Sequence, residues 1–377
     1  MTNEMKTMGL KFHRYWRRNK IPVTCLLELT PRCTLDCKMC YVHLTPEQMG
    51  DRRELTAEQW IRIIDEALDA GMFTAALTGG ECMLHPGFWE ILGHLRERGV
   101  NTSVNTNAYV LTDAQIERLS QSGVGMVRVT IYGSSPEEYE RLTGRADAYE
   151  RVVENIKKMK AAGLPVSAAA TLTKYNYDGF WDVLKLRREL GVPLNMTADL
   201  FTPYEETGRN VEDCALSKDE ILAFYQKYRR LVKKEPFPNE PITEEPAWLE
   251  DAPPVKGMCC GSGQDSFFVH WDGTIAPCVN FRGNLRVQDV GFAAAWEEVK
   301  REAAEYPQPV ECSHCKLLKV CNPCVFVRHD PKNIHHANLE HCKMMYARYN
   351  QGLISLEKQP QTIGGEEISV DSAPDDC

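Results

Sequence analysis

The chain has 377 residues, a formal net charge of −9 and 15 cysteines. An acidic balance excludes a general nucleic-acid binder, which needs a basic surface to displace counterions. No run reaches the roughly 18 apolar residues that cross a bilayer, and without a secretory signal the cysteines read as metal ligands in a reducing cytoplasm rather than as a disulfide framework.

The length suits two domains. Residues 1–21 form a basic arm, with Lys11–Lys20 expected to pack through its aromatics. Residues 22–235 repeat one unit: an apolar, β-branched run, a loop, and an amphipathic helix ending in glycine. Strands are expected at Val23–Leu29, Phe73–Leu77, Asn101–Asn105, Met126–Tyr132, Val166–Thr171 and Leu194–Ala198. Before the later strands, Gly71, Gly99, Gly123, Gly163 and Gly191 are placed as left-handed helix ends. Thr56-x-x-Gln59 and Thr112-x-x-Gln115 read as capping boxes, and Trp60, Ile63, Ile64 and Leu68 carry helical periodicity. Alternating strands and helices imply a parallel sheet with right-handed crossovers. Six units are too few to close an eight-stranded barrel. One more helix is expected at Ser217–Lys234. A proline-rich linker over 236–256 leads to a second cysteine-rich domain over 257–350 and an acidic, flexible tail over 351–377.

Cys33, Cys37 and Cys40 form a C-x3-C-x2-C run directly after the first strand. Iron–sulfur clusters are normally held by four thiolates. Three thiolates leave one iron open, which is where a substrate or cosubstrate binds. Loops at the carboxyl ends of barrel strands are where such enzymes keep their chemistry. A zinc site or scattered buried thiols is the plainer alternative. Thr78-Gly-Gly-Glu81 ends the second strand; its glycines permit close approach of backbone to a ligand, and its carboxylate suits an ammonium. Asn105 and Ser134 are polar groups at later strand ends. In the last third, Cys260 and Cys278 bracket a hairpin turning at Asp272-Gly273. Cys312-x2-Cys315-x5-Cys321-x2-Cys324 and a distant Cys342 follow.

The three-cysteine loop, Gly79-Gly-Glu81 and the segment Val129–Gly144 together resemble the radical S-adenosylmethionine (SAM) superfamily, and above all its peptide-modifying members. The later cysteines resemble the SPASM domain, although the last short gap has two residues where three are usual. The resemblance implies an α/β chain: a partial (β/α)6 TIM-type barrel followed by a SPASM domain. It implies SAM as cofactor, with Gly79, Gly80 and Glu81 at its amino group. Asn105 and Ser134 would meet its ribose and methionyl parts, Arg145 its carboxylate, and Tyr41 its adenine. Three 4Fe–4S clusters follow: one on Cys33, Cys37 and Cys40, one on Cys312, Cys315, Cys321 and Cys342, and one on Cys260, Cys278 and Cys324, with Cys259 the nearest fourth ligand. The implied reaction cleaves SAM to a 5′-deoxyadenosyl radical that takes a hydrogen from a peptide or protein, giving a crosslink, an epimer or an oxidised residue. Asp199, Asp265 and His270 are candidate acids or bases. Implied partners are the peptide, a reductant such as flavodoxin or ferredoxin, and a separate leader-recognition protein, since few residues precede the first strand. Neither nucleic acid nor membrane is expected. Alternatives are an anaerobic sulfatase maturase, a SPASM enzyme on a small metabolite, and an iron–sulfur electron carrier.

Overall fold

The computed structural model describes residues 3–198, 200–228, 230, 246, 256–321, 324–330, 332–352, 354–356, 361–363 and 366–368. Six parallel strands form where the β-branched runs predict them: β1 Thr24–Glu28, β2 Thr74–Thr78, β3 Asn101–Thr106, β4 Met126–Thr130, β5 Val166–Thr171 and β6 Leu194–Thr197. They lie side by side in sequence order. Both expected capping boxes are present, at Thr56 and Thr112, and all five expected glycines have positive φ.

Alternation along the strands gives the sheet two unlike faces. Cys25, Leu27, Leu77, Val104, Val127 and Val129 lie on one face and are fully buried. The helices of the repeat cover this face; Ala57–Asp69, for example, buries Trp60, Ile63 and Ile64. The other face carries Asn105, Arg128 and Ser167, all at least partly exposed. Parallel sheets are ordinarily buried and apolar on both faces. A polar, open face is therefore a departure that points to a ligand cleft.

Beyond the six strands the sheet continues through β7 Ser266–Val269, β8 Thr274–Ala276 and β9 Leu285–Arg286. β7 pairs in parallel with β1, and β8 and β9 add on as antiparallel strands. The hairpin expected in the second domain therefore belongs to the barrel. Its run Phe267-Phe268-Val269 is apolar on both sides, as an interior strand requires, and all three residues are buried. The compact units differ accordingly from the sequence-drawn boundaries. One is 22–216 with 266–299; the other is 1–21, 217–265 and 300–377. The helix Lys218–Tyr228 falls in the second unit rather than in the barrel.

Within the second unit, the basic arm is a helix, Asn3–Arg18. Its Phe12 and Tyr15 are exposed rather than packed as expected. An ionic tie holds it: Arg17 Nε lies 3.3 Å, and His13 Nδ1 3.0 Å, from the Asp265 carboxylate. The helix Leu339–Asn350, capped by Asn338, packs against Lys218–Tyr228. Apart from Pro246 and Lys256, the expected linker lies outside the described residues. Gln361–Ile363 and Glu366–Ile368 pair as two antiparallel strands, a pairing the tail's composition did not predict. Among the described residues no helix is long and apolar enough to cross a membrane.

Candidate active site

The loop from Thr30 to Tyr41 leaves the carboxyl end of β1 and is fixed by its neighbours before any ligand is considered. The end of β2 zips onto it: Gly80 N donates to Thr30 O at 2.8 Å, and Glu81 N to Arg32 O at 2.8 Å. A Cβ on Gly79 would sit 2.5 Å from Thr30 O, and one on Gly80 2.4 Å from Arg32 O. The room these glycines give is thus occupied by the cysteine loop's own backbone. Arg32 makes a two-point ion pair with Glu54, Nε to Oε1 at 2.7 Å and Nη2 to Oε2 at 2.8 Å. The Thr30 hydroxyl also donates to Glu54.

Glu81 is 1% exposed. Its Oε2 accepts from Thr106 Oγ1 at 2.8 Å and Asn107 N at 2.9 Å. Burial pushes its carboxyl up, against those hydrogen bonds. In this structure the Glu81 carboxylate joins β2 to the end of β3.

Two of the three thiols accept hydrogen bonds. Cys33 Sγ accepts from Asn107 Nδ2 at 3.4 Å and Leu35 N at 3.5 Å. Cys40 Sγ accepts from His43 N at 3.2 Å. Tyr132 favours the Cys37 thiolate against the burial that raises it. Burial raises all three thiols, Cys33 to about 12, and Cys33 and Cys37 are raised further by their loop neighbours. Crowded, buried thiols that oppose one another's ionisation suit a cationic iron assembly, which favours thiolates and offsets their repulsion. N–H···S donors around cluster thiolates set potential. Asn105 Oδ1, on the open face, is buried with no hydrogen-bond partner, an acceptor left for a ligand. The donor set thus fits an iron–sulfur cluster and a polar cosubstrate. Among the described residues no three His, Cys, Asp or Glu side chains converge as they would around a single metal ion.

Comparison with known proteins agrees with this geometry. Residues 27–187 match the Radical SAM superfamily. The segment is a radical SAM domain. The PqqA peptide cyclase of Granulibacter bethesdensis is 31% identical over 170 residues, 45% of this chain and 45% of the relative. This chain thus spans under half of that relative's length. The AdoMet-dependent heme synthase of Methanosarcina barkeri is 27% identical over 323 residues, covering 79% of this chain and 89% of the relative. Streptococcus suis SuiB, solved with its precursor peptide SuiA, has the same fold, with a TM-score of 0.63 at 16% identity over 86% of this chain and 76% of that one.

The other expected cofactor residues of the radical SAM domain have varied settings. Tyr41 stands edge-on to Phe201 and Tyr204, with centroids 5.4 and 6.0 Å away. Ser134 gives its N–H and its hydroxyl to Glu138 Oε2, at 2.6 and 3.0 Å. Arg145 pairs with Asp147 at 2.9 and 3.1 Å and contacts the Tyr109 hydroxyl, so reaching a carboxylate requires leaving that pair.

Of the candidate acids and bases, Asp199 lies outside the described residues, and Asp265 is the buried anchor of the N-terminal helix. His270 is fully buried with both ring nitrogens engaged. Its Nε2 faces Phe281 O at 2.8 Å and therefore carries a proton; its Nδ1 is 2.7 Å from the Tyr204 hydroxyl. That hydroxyl also lies 2.9 and 3.1 Å from the Glu28 carboxylate, and Glu28 is fully buried too. The three side chains lock β1, β7 and the stretch after β6 together, a structural setting for His270 rather than an open one.

Glu28, Glu54 and Tyr204 were missed by sequence reasoning. Only Glu28 carried a signal: a carboxylate inside the apolar run Leu26-Leu27-Glu28-Leu29 must find a buried partner.

In the second unit, Cys312, Cys315, Cys321 and Cys342 line one pocket with Arg328, His341 and Tyr346. These four are the cysteines that the SPASM resemblance groups. Burial raises Cys312 and Cys342, and the other three thiols raise Cys342 further. Arg328 opposes the shift at Cys312. Arg328 is 2% exposed, and its Nε and one Nη have no hydrogen-bond partner. A buried, under-bonded guanidinium beside four thiols fits an anionic cluster there. Cys260 and Cys324 belong to this unit, whereas Cys278 belongs to the barrel. None of those three is in a disulfide.

Proposed function

We propose that this chain is a cytoplasmic radical SAM enzyme that modifies a peptide or protein by hydrogen abstraction. The observation that carries the reading is the set of three buried or half-buried thiols after β1, two of them with hydrogen-bond donors, beside the unpartnered Asn105 Oδ1. Cys33, Cys37 and Cys40 hold a 4Fe–4S cluster. When bound, the cluster and SAM supply reductive cleavage to a 5′-deoxyadenosyl radical. The chain's own residues orient and exclude water. Asn105 accepts from SAM, Tyr41 lies beside it, and the Gly79-Gly80 turn holds the cluster loop rigid. Cys312, Cys315, Cys321 and Cys342 hold one auxiliary cluster.

A peptide substrate is supported by the names of two similar proteins, a peptide cyclase and an enzyme solved with its precursor peptide. A low-potential reductant, flavodoxin or ferredoxin, delivers the electron, and a separate protein presents the leader. A second reading, action on a small molecule, is favoured by the length of the match to the heme synthase.

The test is 5′-deoxyadenosine formation by anaerobically reconstituted, reduced protein given SAM. Product is expected from wild type and not from Cys37→Ala. Equal product from both overturns the site. No SAM-induced change in the cluster spectrum of iron-loaded wild type overturns the function.

A further inference from the structure

The open face of the barrel sheet holds a cation that the proposed chemistry does not use. Glu28 and Thr78 are in register across β1 and β2. Leu77 pairs with Val104, which places Asn105 one step on, beside Thr78. Asn105 pairs with Arg128, and Arg128 with Ser167. In-register residues of parallel strands point to one face, so Thr78, Asn105, Arg128 and Ser167 make a polar row across four strands. Arg128 stands mid-strand between fully buried Val127 and Val129, and its own side chain is exposed.

Among the described residues its hydrogen bond is from Nη1 to Ser103 Oγ at 2.9 Å. Among the described residues no carboxylate stands within ion-pair distance of it. A guanidinium is a rigid fork of donors that matches a carboxylate at two points. The neighbouring hydroxyl sets the fork's orientation without neutralising it. Strand centres in a parallel sheet are otherwise apolar, so a charged, oriented, unneutralised group there is a recognition feature.

We infer that Arg128 anchors a carboxylate of the substrate on the open face of the sheet. Its source is an acidic side chain of a peptide or a free carboxylic acid. The inference rests on the enzyme reading above and narrows its substrate class. Arg128 is a specificity determinant; it has no part in holding the cysteine loop.

The test uses the full, cluster-loaded chain and three fluorescent hexapeptides, identical but for a central Glu, Gln or Lys, with binding read by anisotropy. Wild type is expected to bind the Glu peptide at least about tenfold more tightly than the Gln peptide. Arg128→Gln levels the two, and Arg128→Glu shifts preference to Lys. Free glutarate is the other arm. If it competes in wild type and not in Arg128→Gln while the peptides show no preference, the carboxylate site stands and its ligand is a small acid. The same peptide ranking in all three proteins, or no preference and no glutarate effect in wild type, overturns the inference. The SAM-induced change in the cluster spectrum is recorded on the same wild-type sample. Its absence sinks the enzyme reading, whereas its presence with no carboxylate preference sinks this inference alone.

Discussion

Cys33, Cys37 and Cys40 sit on one loop, and Cys33 and Cys40 take hydrogen bonds from Leu35 and His43 N and from Asn107 at the end of β3. Cys312, Cys315, Cys321 and Cys342 instead share a pocket with a buried Arg328. The first set supplies three thiolates and leaves Asn105 Oδ1 unpartnered on the open sheet face. The second supplies four thiolates and a counter-charge. A metal centre short of a protein ligand is built to take a substrate; one with a full set is built to stay closed. On the proposed reading, the same residue type would serve reaction in one region and retention in the other, with the surroundings making the difference.

Cysteine exchanges break that comparison most sharply. Cys37→Ala should abolish the SAM-induced change in the cluster spectrum. Cys312→Ala should lower iron by about four atoms per chain while the change persists. Iron analysis and electron paramagnetic resonance on both proteins check this, and loss of the change in both would erase the division of roles.

Arg328→Met should act in opposite directions on the metal-free and loaded protein. Removing a buried, under-bonded cation should stabilise the metal-free protein by about 1–3 kcal/mol. Auxiliary iron should then be held about 10–100-fold less tightly, with a more negative midpoint potential. Thermal unfolding and a redox titration read the two effects.

Gly80→Ala places a methyl against Arg32 O and should cost about 1–3 kcal/mol. Unfolding in urea checks the loss, and the C-terminal pocket should keep its iron.

The smallest effect is a pH dependence confined to the barrel. Burial holds His85 below the ordinary value of 6.5. Its Nε2 bonds Leu55 O, and its Nδ1 accepts from Gly87 N, so the neutral form is the one that fits. A lowered histidine contributes stability that is present above pH 6.5 and is lost as pH falls through its folded value. The melting temperature should therefore decline below pH 6.5, less steeply in His85→Gln. Identical slopes would exclude His85 as the cause.

The six parallel strands were legible because each is a β-branched run closed by a glycine-ended helix, a signal contained within about 30 residues. The three-cysteine loop was legible for the same reason. The pairing of β1 with β7 was not, because nothing local in Val23–Leu29 names Ser266–Val269 as its neighbour. The need for Gly79 and Gly80 was legible, while the reason was not: the close partner is the loop backbone rather than a ligand. Arg328 was invisible since it matters through sulfurs that approach it only after folding. Arg128 was readable as a charge in a strand, but only the ladder register shows that it shares a row with Asn105.

The register of β1 with β7, Thr24 beside Ser266, also bears on biogenesis. At roughly 5–20 residues per second, the ribosome needs on the order of 10–50 s to deliver β7 after β1. During that interval β1 is a bare sheet edge next to three unligated thiols, the kind of edge that invites wrong pairing. His270 arrives directly after β7, so the lock with Glu28 and Tyr204 closes late. On the proposed reading, iron delivered before then would meet a loop whose supporting wall has not been made, so the sheet would set an order of assembly: wall first, metal second.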